Sequence, residues 1–158
     1  MTKQPRVEPA EVRAVVLRAF HRGADPDELQ RELIAFQRER DHTMAEVLLE
    51  LATDVLTISG ATRDRPIDYQ DLVKTHLTDY EYRGKVDHRS IRYALTYPAM
   101  RAGGLQPDFL DDVSWWRTQL WPYALHALVA YLRAASALTG ASSEGLVGQL
   151  AARHHVEL

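Results

Sequence analysis

The chain reads as an all-α domain, one bundle of about seven helices around a central tryptophan-rich hydrophobic helix. Three observations predict this. Apolar residues recur at three- and four-residue spacings along most of the 158 residues. No stretch alternates β-branched and polar residues between turn signals, as a half-buried strand would. Residues 113–138 hold all three tryptophans, Trp115, Trp116 and Trp121. On a helix these rings point in every direction together with Leu120, Leu125, Val129 and Leu132, so the segment needs neighbours all round.

The first helix starts near Pro9, a residue suited to a first turn, and carries Val12, Val15, Val16, Ala19 and Phe20 inward before Gly23 stops it. Asp25-Pro26-Asp27-Glu28 then gives an N-cap, a first-turn proline and an acidic first turn. That helix turns Leu29, Leu33 and Phe36 inward. Thr43-Met44-Ala45-Glu46 repeats the capping logic for a third helix, with Met44, Val47, Leu48, Leu51, Val55 and Ile58 apolar and Gly60 at its end.

A polar loop over 61–67 leads to a short fourth helix after Asp68, with Tyr69, Leu72, Val73 and His76 or Leu77 buried. Residues 78–87, containing Gly84, read as an irregular connection. A fifth helix from about Asp87 uses Ile91, Leu95 and Tyr97 or Pro98 and stops at Gly103-Gly104. Pro107-Asp108 begins the sixth element. The aromatic stretch follows, with a kink or break expected at Pro122, which cannot donate to the helix ladder. Gly140 closes it. Ser142 or Ser143 caps a last helix to about His154. The whole chain, 1–158, is one domain, with fraying expected at 1–8 and 156–158.

With 46% apolar and 26% charged residues, composition is that of a globular protein, and this length buries roughly 70% of the surface of the unfolded chain. The absence of cysteine excludes disulfides, thiolate metal sites and a cysteine nucleophile, and fits a cytoplasmic location. Met1 to Pro9 lacks the apolar core of a secretory signal. The run from Thr118 to Leu132, broken by Pro122 and His126, falls short of the roughly 20 apolar residues a membrane span requires, so no membrane association is expected.

Net charge is -3, against bulk non-specific nucleic-acid binding. Its distribution is uneven. Residues 1–60 carry 8 basic and 11 acidic side chains, residues 61–101 carry 8 and 6, and the remainder 3 and 5. The basic excess concentrates where four of the seven tyrosines lie. Tyr80, Tyr82, Tyr93 and Tyr97 interleave with Arg83, Lys85, His88, Arg89, Arg92 and Arg101.

Flat aromatic faces with polar tips, set among guanidinium forks, suit an acidic protein surface or stacked bases and phosphates. On a helix Tyr93 shares a face with Tyr97 and with Arg89, as does His88 with Arg92. Solvated arginines with tyrosines at the core edge are the simpler expectation for such a segment. The leading functional expectation is a non-enzymatic cytoplasmic interaction protein, an adaptor, inhibitor or immunity-type factor. It would bind a protein partner through Tyr80, Tyr82, Arg83, Lys85, His88, Arg89, Arg92, Tyr93 and Tyr97.

Two further classes compete. His88-Arg89-Ser90-Ile91-Arg92-Tyr93-Ala94-Leu95, followed by Gly103-Gly104-Leu105, resembles the recognition helix and exit of winged-helix bacterial regulators. The resemblance spans about residues 68–105 and implies DNA binding, with Arg89, Ser90 and Arg92 facing the major groove. The chain departs from that pattern in the long connection from Leu77 to Asp87, in Pro98, and in Gln106-Pro107-Asp108, which leads to an acidic helix where a wing strand would stand. The third class is a small helical enzyme with a buried site near His126.

Arg83 and His88 also have the Arg-x4-His spacing that resembles the motif of small helical RNases of the HEPN type. Here Gly84 falls inside the motif. Glu39-Arg40-Asp41-His42 matches the Glu-x-x-His spacing of di-iron bundles, which need a second copy that this chain lacks. His154-His155 lies near the C-terminus and is assigned no role. No metal, cofactor or phosphate-cradling loop is implied, and no nucleophile elbow is present. A homodimer is compatible with Trp115-Trp116 if one of the two rings is exposed.

Overall fold

A computed structural model describes residues 7–38, 43–59, 88–102 and 120–158. Among them are six α-helices and one 3₁₀ turn, with no strand. The helices are α1 (Pro9–His21), α2 (Pro26–Leu33), α3 (Thr43–Ile58), α4 (His88–Ala102), α5 (Leu120–Thr139) and α6 (Ser143–Arg153). The all-α class therefore stands for the described part of the chain. The helix expected after Asp68, the element at Pro107-Asp108, and Trp115 and Trp116 lie outside the described residues.

Local chemistry explains most boundaries. Pro9 occupies the first turn of α1, where its missing N–H is no loss. The helix ends in a Schellman motif: Gly23 adopts φ 76°, its N–H donates to the Phe20 carbonyl at 3.1 Å, and the Ala24 N–H donates to the Ala19 carbonyl at 2.9 Å. Asp25 caps α2, its carboxylate accepting from the Asp27 N–H at 2.9 Å, with Pro26 following. Instead of stopping at Leu33, the chain tightens into a 3₁₀ turn over Ile34–Phe36, which the sequence pattern did not single out. The hydroxyl of Ser142 accepts from the Gly145 N–H at 3.0 Å and caps α6.

Helices α3 and α5 form the heart of the bundle. α3 packs on α1, α4, α5 and α6, and α5 packs on α2, α3, α4 and α6. Leu48, Leu51, Ala52 and Val55 of α3 interleave in one core with Trp121, Leu125, Leu128 and Tyr131 of α5. Pro122 is the third residue of the described α5, which runs on to Thr139, and the residues before Leu120, against which a kink or break at Pro122 would be judged, lie outside the described residues. Gly140, at φ 75°, closes α5 with an N–H to the Ser136 carbonyl at 2.9 Å.

The proline that sits inside a helix is Pro98 of α4. It removes the bond to the carbonyl four residues back and crowds that turn. In the same turn the Tyr131 hydroxyl, fully buried on α5, donates to the Leu95 carbonyl. The carbonyl whose ladder donor Pro98 removes is that of Ala94, so the tyrosine hydroxyl ties α5 to the neighbouring carbonyl of that turn, whose own ladder donor is the Ala99 N–H.

Candidate functional site

The segment singled out by its tyrosines and arginines maps onto α4. Tyr80, Tyr82, Arg83 and Lys85 lie outside the described residues, as do the preceding half of the helix-turn-helix reading, the arginine of the Arg-x4-His motif, and Glu39 to His42. His88, Arg89, Ser90 and Arg92 occupy the N-terminal part of α4. The remaining two candidates, Tyr93 and Tyr97, are placed in detail.

Helix α4 is held between α3 and α5 by its buried residues Tyr93, Ala94, Leu95 and Pro98. Tyr93, expected at a partner-facing surface, is only 6% exposed and belongs to the core cluster. Its burial follows from α4 lying against two helices at once. Tyr97, one turn on, is half-buried and packs against that core. The two rings stack with centroids 5.9 Å apart and planes 30° from parallel. Burial, then Tyr97, then the Glu46 carboxylate of α3 push the Tyr93 phenol well above the ordinary tyrosine value. Tyr93 is therefore a neutral backing for Tyr97.

Thr96, Tyr97 and Met100 keep part of their surface in solvent, and Arg101 is exposed. The described side chains of α4 thus offer one partly exposed aromatic ring, Tyr97, supported from beneath by Tyr93.

His126 is half-buried in the middle of α5. The described residues contain no group of three or more His, Cys, Asp and Glu side chains able to hold a metal ion. No helix among them is long and apolar enough to cross a membrane.

One polar cluster escaped the sequence reading. Asp54 lies in the apolar register of α3, in line with Val47, Leu51 and Ile58, and is 9% exposed. Its Oδ2 meets His154 Nε2 at 2.6 Å, and its Oδ1 lies 3.4 Å from Arg153 Nε. An acid inside an apolar stripe was the available signal, because a buried carboxylate requires a partner. That partner is 100 residues away in sequence.

No protein-family model matches the chain, and no curated protein or solved structure matches it.

Proposed function

We propose that this chain is a non-enzymatic cytoplasmic interaction protein that binds a protein partner through residues 80–101, with the solvent-facing edge of α4 at the centre of the contact. The observation that carries the reading is the way α4 is mounted. Tyr93, Ala94, Leu95 and Pro98 fix it on α3 and α5, and Tyr97 stacks on the buried Tyr93 while retaining exposure. A pre-positioned aromatic ring loses little freedom on binding, and Tyr and Arg dominate the energetic anchors of protein interfaces. Arg89, Arg92 and Arg101, with only Asp87 opposing over 82–101, favour an acidic partner surface.

Affinity capture from a lysate of the source organism tests this, comparing wild type with an Arg89→Ala, Arg92→Ala, Tyr97→Ala variant and assaying protein and nucleic acid together. The reading expects a captured protein that the variant loses. Capture of DNA that the variant loses, with binding falling steeply as salt rises, would replace it with the helix-turn-helix reading. Capture unchanged by the three substitutions would remove α4 from the contact.

A further inference from the structure

We draw no further inference here: the strongest candidate, the surface patch where the 54% exposed Ile34 follows α2 beside the exposed Asp27 and Glu28, is an unpartnered apolar face next to an acidic cluster, and nothing in the structure shows what covers it.

Discussion

Tyr131→Phe isolates a contact that ties α5 to the backbone of α4. The substitution keeps the ring, which is 0% exposed, and removes only the hydroxyl that donates to the Leu95 carbonyl of α4. A neutral hydrogen bond is worth about 1 kcal/mol net. The Leu95 carbonyl keeps the Ala99 N–H as its ladder donor, since the bond Pro98 removes is the one to Ala94, so the expected destabilisation is about 1 kcal/mol.

For a domain of this size that lowers Tm by roughly 2–4 °C. Urea unfolding followed by circular dichroism at 222 nm should show the midpoint falling with the slope unchanged. A Tyr131→Phe cost below about 0.3 kcal/mol would refute the reasoning.

Ser142→Ala removes the side-chain oxygen that accepts from Gly145 and should cost about 1 kcal/mol in urea unfolding, whereas Ser142→Asp should preserve the cap. Gly140→Ala meets no atom within 4 Å but imposes a Cβ at φ 75°, so about 1 kcal/mol should be lost through backbone strain alone. Tyr93 gives the alkaline behaviour: its phenol stays protonated in the fold above the ordinary value of about 10, while the unfolded chain releases its proton there. The unfolded state then binds fewer protons, so stability falls as pH rises above about 10. In Tyr93→Phe the urea midpoint should fall less over that range.

The helix boundaries were largely legible because their causes are local. Pro9, Gly23, Asp25-Pro26 and Ser142 act on the backbone within four residues, and the structure places α1, α2 and α6 where those residues demand. The kink or break expected at Pro122 concerns the turn before Leu120, which lies outside the described residues. The candidate site was legible in outline only. Periodicity puts Tyr93 and Tyr97 on one face but does not reveal that packing against both α3 and α5 covers the first and leaves the second half-exposed. The Asp54–His154 pair and the Tyr131–Leu95 bond span 100 and 36 positions, and no local pattern encodes a partner at that distance.

The most direct test of the α4 reading is site-specific photo-crosslinking in cells, with a benzophenone amino acid at position 97 and, as control, at the exposed Arg133 of α5. The account predicts one discrete protein adduct from position 97 and none from position 133. Equal adducts from both positions, or crosslinks from position 97 to nucleic acid alone, would contradict it.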